Sequence, residues 1–302
     1  MTTLLLLGLS LAVLTCAPAW GPGTHLEFAH RVFRRRKDQL PPRVARLLEE
    51  EKDAWQYGNL AADIINFKAV GGHYNHCHRW TIVEEMRALV ETPAEEAFVL
   101  GYLAHLAADT IAHNHFVPYH LARFARTKGL GHLYWEMNAD RFVPEERWEV
   151  VTRLKANPEL ASLDQLVNRT VPKKALSMGA NKLLFNHVLL VSERGQWRRG
   201  VARLHPIKNL ALRKGFLERF RGAAVKRIVL ALNPRGLRKL AHVDTNGKQA
   251  QRSAMEARKH VLDRLPPGRM RQDLSKQVAA QFLEGMESPP PLIDGGRIPH
   301  WD

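Results

Sequence analysis

The stretch Ala97 to Phe116, AFVLGYLAHLAADTIAHNHF, is apolar almost throughout, and its ionisable residues recur at His105, Asp109 and His113. Spaced i, i+4, i+8, these three side chains share one face of a helix at 3.6 residues per turn. Other segments with helical periodicity flank it. LEFAHRVFRRR opens close to His25, with Thr24 and Glu27 placed as a capping box, and Pro41-Pro42 closes it. A helix from Arg43 to Asp53, a loop at Gly58 and a short helical piece near Asp63 are expected next. Gly71-Gly72 turns the chain into a histidine cluster, and Trp80 to Val90 reads as an amphipathic helix.

The apolar helix is expected to end near Phe116 to Pro118, and a further helix to run from His132 toward Arg141 until Val143-Pro144 breaks it. Helical periodicity returns at Glu146 to Lys155, Leu160 to Val167, Lys174 to Val191, through a basic stretch, and at Gln249 to Leu265. No sustained alternation of apolar and polar residues predicts a strand, so the fold class is all-α, and the chain has no internal repeat. The tail from Ser288, with Pro289-Pro290-Pro291 and Gly295-Gly296, reads as extended or disordered.

Buried ionisable groups are costly unless paired, and two imidazoles with a carboxylate on one apolar face share a natural partner in a divalent cation, above all zinc. The competing reading, a set of core histidines each hydrogen-bonded to a carbonyl, suits one such residue better than a row of three. More ligand types lie nearby: His132 and Glu136 at i, i+4, His73, His76 and His78 in HYNHCHRW, and Asp63 in GNLAADIIN. Ten of the 15 histidines fall between residues 25 and 132, interleaved with Leu, Ala and Phe rather than in a solvated run.

Length and composition, 302 residues with 45% hydrophobic, supply enough apolar surface for a core and exclude disorder of the whole. The apolar run Leu4 to Leu14 is too short to span a bilayer and precedes Ala17-Pro18-Ala19, the pattern of a signal peptide cleaved between Ala19 and Trp20. Export to the periplasm or medium is then expected, and Cys77 is left as the sole cysteine, which rules out an intrachain disulfide. The net charge of +15 is uneven: Arg194 to Lys239 holds 14 Lys or Arg against one acid, Glu218. Interleaved with apolar residues, this stretch reads as amphipathic basic helices that attract an anionic membrane surface or nucleic acid, or as a solvated face.

In chain order stand Trp20, His25, Asp63, His76 and His78, His105-x-x-x-Asp109, His113 and His115, and His132-x-x-x-Glu136. This order resembles the zinc-dependent phospholipase C family, whose superfamily also takes in fungal single-strand nucleases and the catalytic domain of glycosylphosphatidylinositol-specific phospholipase D. The resemblance covers roughly residues 20–145. It implies a helical domain with up to three zinc ions and a mature N-terminus that is itself a ligand. Carried over by motif, Trp20 and His25 would hold one ion, Asp63, His78 or His76, and His105 a second, with Asp109 bridging them. The third would take His113 or His115, together with His132 and Glu136. Four residues after Asp109 matches the phospholipase D branch and six matches the bacterial one; helical geometry favours His113, and the neighbouring Trp80 favours His78.

The implied activity is phosphodiester hydrolysis by an activated water, most simply of a phospholipid, with Asp63 orienting or deprotonating that water or serving only as a ligand. A nuclease is the enzymatic alternative; Tyr74, Trp80, Tyr119, Tyr134 and Trp135 could stack bases, so aromatics do not separate the two. A zinc- and membrane-binding protein without turnover is the third reading. The expected organisation is a signal peptide at 1–19, a catalytic core at 20–145, a basic helical region at 146–287 packed on it, and a tail at 288–302.

Overall fold

In a computed structural model the described residues are 20–65, 77–124, 134–135, 138–171, 177–183, 186 and 212–289. All regular structure among them is helical. The helices are α1 (Pro22–Arg34), α2 (Arg36–Gln39), α3 (Pro42–Glu50), α4 (Lys52–Ala61), α5 (Trp80–Arg87), α6 (Pro93–Ile111), α7 (Val117–Phe124), α8 (Glu145–Ala156), α9 (Asp164–Thr170), α10 (Lys214–Leu232), α11 (Gly236–Leu240), α12 (Lys248–Arg264) and α13 (Arg269–Ala280). None of them is long and apolar enough to cross a membrane.

Helix α6 is the axis of the molecule. Its residues from Ala97 to Ile111 are all buried, as its unbroken apolar character requires, and α4, α10, α5, α1 and α3 pack around it. Its start is set locally: Thr92 accepts from the Glu95 N–H while the Glu95 carboxylate accepts from the Thr92 N–H, with Pro93 at the first helical position. The capping box expected at Thr24 and Glu27 does not form. Thr24 instead donates its N–H and hydroxyl to Asp140, at 3.0 and 2.6 Å, so a distant carboxylate closes the first turn of α1, while Glu27 pairs with Arg31 and Arg147.

Gly58 lies inside α4 rather than in a loop. A Cβ there would stand 2.1 Å from the carbonyl of Phe98, and one on Gly101 would stand 2.3 Å from that of Trp55. Two glycines therefore let the backbones of α4 and α6 touch, a tertiary reason for a residue that reads locally as a breaker.

The central helix also does not stop near Pro118. One turn of π-helix, Ala112–Phe116, joins α6 to α7. Pro118 lacks an N–H and its ring crowds the carbonyl four residues earlier; the wider turn leading into it relieves both demands, and the chain continues to Phe124.

Helix α5 and helices α8 and α12 lie close to their expected bounds, whereas α13 lies where no element was expected. The expected elements at Gly71-Gly72, at His132, over most of Lys174 to Val191 and in the tail fall largely or wholly outside the described residues. One cluster of buried apolar side chains runs from Trp20 to Met286, with Leu217, Phe220 and Ile228 of α10 in the same core as Phe98 and Leu106.

Candidate metal centre

Five expected ligands from four parts of the chain meet beside α6. His105 and Asp109 stand one turn apart on that helix, His25 comes from α1, Asp63 from the end of α4, and His78 from the segment leading into α5. Around Asp109, His25 Nε2 lies 3.4 Å from Oδ1, while His78 Nε2 and His105 Nε2 lie 3.1 and 3.2 Å from Oδ2. Asp63 faces the same two rings, with Oδ1 3.4 Å from His78 Nε2 and Oδ2 3.8 Å from His105 Nε2. The potential donor atoms form two overlapping groups, His25–His105–Asp109 and Asp63–His78–His105, each spanning no more than 4.8 Å. All but Asp63 are buried, and Asp63 is only partly exposed.

The hydrogen bonds around this cluster orient its lone pairs inward. His105 Nδ1 is 2.8 Å from the carbonyl of Asn59. A carbonyl only accepts, so Nδ1 carries the proton and, in the neutral ring, Nε2 presents a lone pair. That lone pair faces two carboxylates and, at 3.1 Å, another imidazole nitrogen, His78 Nε2. With the His78 lone pair also turned inward, such a convergence is repulsive unless a cation, whether a shared proton or a metal ion, lies among them. Both oxygens of Asp109 and both ring nitrogens of His25 are buried and make no hydrogen bond among the described residues, despite their short mutual distance. Orphaned atoms of this kind, contributed by imidazoles and carboxylates, fit a zinc site.

The electrostatics agree. Burial lowers the His25 pKa to about 4, reinforced by His105, whose ring stacks on it at 3.7 Å, so His25 is neutral at physiological pH, the form that binds metal. Burial alone would raise Asp109, but the imidazoles of His105, His25 and His78 hold it well below the ordinary carboxylate range. Asp109 is thus an anion at the centre of a buried site.

The family model for zinc-dependent phospholipase C matches residues 24–180. The chain belongs to this family. No curated protein and no solved structure matches it. The zinc-dependent phospholipase C match extends past residue 145, where the resemblance in ligand order stops, and so takes in α8 and α9.

Other family positions are placed as follows. Trp20 is fully buried against α6: its Nε1 donates to the carbonyl of Ala108 at 3.2 Å and its ring stacks on Phe116 at 4.7 Å. His113 is buried, with Nδ1 3.2 Å from the Gln251 amide, while His115 is half-buried with Nδ1 donating to the carbonyl of Phe282 at 2.9 Å. The π turn alters the regular 100° step between Asp109 and these two residues, so the face argument for His113 does not carry through it. His76, His132 and Glu136 lie outside the described residues.

Several supporting residues have no signature in the sequence. Asn59 acts through its main-chain carbonyl, which no residue type reveals. Tyr102 donates to the carbonyl of Cys77 at 2.5 Å and Trp80 Nε1 to that of Val243 at 2.8 Å, bracing His78 from both sides. Cys77 is a buried free thiol with its Sγ 3.3 Å from His78 Nδ1.

Proposed function

We propose that this zinc-dependent phospholipase C family member is an exported phosphodiester hydrolase acting on phospholipid, with up to three zinc ions held by Trp20, His25, Asp63, His78, His105, Asp109, His113, His132 and Glu136. The observation that carries this reading is Asp109, a buried carboxylate with neither oxygen hydrogen-bonded, pressed between three imidazoles. Zinc in such a site lowers the pKa of a bound water to about 7 and offsets negative charge on the phosphoryl and leaving oxygens.

The chain's own residues supply the rest. Asp109 belongs to one donor group and its Oδ2 lies 3.1 Å from His78 Nε2 of the other, so it would bridge two ions held there, and the Asn59 carbonyl fixes His105, the member common to both groups, in the tautomer that turns Nε2 inward. Asp63 is the partly exposed member, on the side from which a substrate can arrive. In the proposed reaction its carboxylate takes the proton of the attacking water as the new P–O bond forms. The opposite P–O bond breaks, and the leaving oxygen receives a proton. Of the basic stretch, Arg213, Lys214, Arg219, Arg235, Arg238 and Lys239 are exposed and available to an anionic membrane surface, while Lys226 is exposed but paired with Glu287.

The decisive experiment measures zinc per chain in purified protein beginning at Trp20, and in parallel the release of phosphocholine, inositol phosphate and nucleotides from lipid and nucleic-acid substrates. Zinc with phosphorylated head-group release supports the proposal. Zinc with nucleotide release alone makes the protein a nuclease, and zinc with neither leaves a binding protein. Adding one residue before Trp20 is expected to lower both zinc content and turnover, because it displaces the free amine; unchanged values would remove Trp20 from the ligand set.

A further inference from the structure

The first turn of α1 has no side-chain cap from Gly21, the residue that precedes it. The buried carboxylate of Asp140 takes that place from 116 residues beyond Thr24. Its Oδ1 accepts from the Thr24 N–H at 3.0 Å and from the Thr24 hydroxyl at 2.6 Å, and the Gly23 N–H bonds to the same carboxylate. A Cβ on Gly21 would stand 2.1 Å from Asp140 Oδ2 and one on Gly23 2.5 Å from the Trp148 ring, so Asp140 and α8 close on bare backbone here. Arg221 of α10 fixes Asp140 in turn, donating to the carbonyl of Ala139 at 3.1 Å and to that of Phe142 at 3.5 Å. His25 follows directly on this turn, and its N–H donates to the Gly21 carbonyl at 3.2 Å. Neither ring nitrogen of His25 is hydrogen-bonded among the described residues. Packing, with the ring stacked on His105 at 3.7 Å, and the placement of the main chain therefore set the direction of Nε2 toward Asp109, 3.4 Å away.

We propose that Asp140 is the positioning residue for His25: it holds the first turn of α1 at the place from which the imidazole reaches Asp109. The proposal rests on the reading of His25 as a zinc ligand. The first N–H groups of a helix have no partner within it, so a turn without a cap frays. A zinc–nitrogen bond is about 2.0–2.1 Å long, and a shift of the turn by roughly 1 Å takes Nε2 out of bonding range. Through Arg221 the same carboxylate is tied to α10, beyond the family-matched residues, so the basic half of the chain reaches the metal centre by this route.

The test titrates zinc against a competing chelator in the full chain beginning at Trp20 and in four variants, Asp140→Ala, Asp140→Asn, Thr24→Val and His25→Ala. The unfolding midpoint of each zinc-free protein checks folding, and the visible absorption of bound cobalt(II) reports the ligand set. Asn keeps an acceptor of the same reach, Ala has none, and Thr24→Val removes the hydroxyl donor while keeping the N–H. Asp140→Ala is expected to weaken one of the bound zincs by about 10- to 100-fold, the usual cost of losing a support of a ligand, and to change the cobalt bands. Asp140→Asn is expected to stay within about threefold of the parent, since the turn keeps its acceptor. Thr24→Val is expected to fall between the two, and it carries the test if Asp140→Ala does not fold. Parental zinc affinity in the variant that carries the test, alongside loss in His25→Ala, would overturn the positioning role and leave Asp140 a helix cap. Full zinc in His25→Ala would overturn the ligand assignment itself. Equal loss in Asp140→Asn and Asp140→Ala would place the effect in the charge rather than in the bonds to Thr24, and would overturn the proposal as well.

Discussion

Asp109 is the residue on which the site turns, because its charge has no hydrogen bond to answer it among the described residues. Asp109→Asn keeps the shape and removes the charge, so zinc affinity is expected to fall by more than the ~10- to 100-fold typical of outer-shell losses. Stripping zinc should then barely move the variant's unfolding midpoint while lowering the parent's; equal shifts in calorimetry would contradict the bridging role. Arg227 presents the opposite case. Its guanidinium is buried; among the described residues Nη1 has no hydrogen-bond partner and Nη2 reaches the Met286 carbonyl at 3.4 Å, and burial lowers its pKa to about 10. The folded chain thus holds this proton less tightly than the unfolded chain does, so the charge opposes folding at every pH below about 10, and the penalty fades only as pH rises beyond that. Arg227→Met is therefore expected to raise stability by about 1–3 kcal/mol at neutral pH, read by urea unfolding of the zinc-free protein. His105 and Asp109 were visible in the sequence because ionisable residues sat at helical spacing among apolar ones, and His25, Asp63 and His78 because their order along the chain resembles that of the family. Asn59 was not, since it acts through a main-chain carbonyl that no residue type reveals.

Among the elements, α6 was legible because apolarity on every face means burial on every face, and α5, α8 and α12 because their periodicity is regular. Two features beside it were not. A π turn leaves the residue types unchanged while altering the angular step, and a glycine inside a helix reads as a break unless the second glycine facing it is known. That glycine pair carries a prediction. In Gly101→Ala the new Cβ meets the Trp55 carbonyl at 2.3 Å and the Asn59 nitrogen at 3.0 Å, both backbone atoms that cannot swing aside. Overpacking here is expected to cost about 1–3 kcal/mol or more. It should also weaken zinc binding, because α4 carries the Asn59 carbonyl that fixes His105. Gly222→Ala in α10, where a Cβ meets nothing within 4 Å, is the control and is expected to be neutral or slightly stabilising. Parallel thermal melts and zinc titrations of the two variants check this; equal behaviour would mean that α4 and α6 can separate without cost.

At the scale of the whole molecule, the basic stretch is the feature the sequence read least well. Charge and apolar spacing suggest amphipathic basic helices, and the apolar residues do face the core, but Arg221 and Arg227 of α10 are buried as well: Arg221 donates to the Ala139 carbonyl at 3.1 Å and pairs with Glu218 at 3.0 Å. A count of charges cannot tell which cations face inward, since that depends on carbonyls and acids far away in sequence. The same helix sets Leu217, Phe220, Ile228 and Leu232 into the core around α6, and Thr245 beyond it donates to the His78 carbonyl. A fragment spanning residues 20–180 keeps the family-matched region and loses all of these. Four large buried side chains at about 1.5–3 kcal/mol each approach the entire stability of a typical domain, about 5–15 kcal/mol. The fragment is accordingly expected not to fold cooperatively and to bind zinc weakly, as measured by circular dichroism on heating and by zinc titration beside the full mature chain. A cooperative melt with parental zinc affinity would show instead that residues 20–180 fold alone and that α10, α12 and α13 are an addition to a self-sufficient centre.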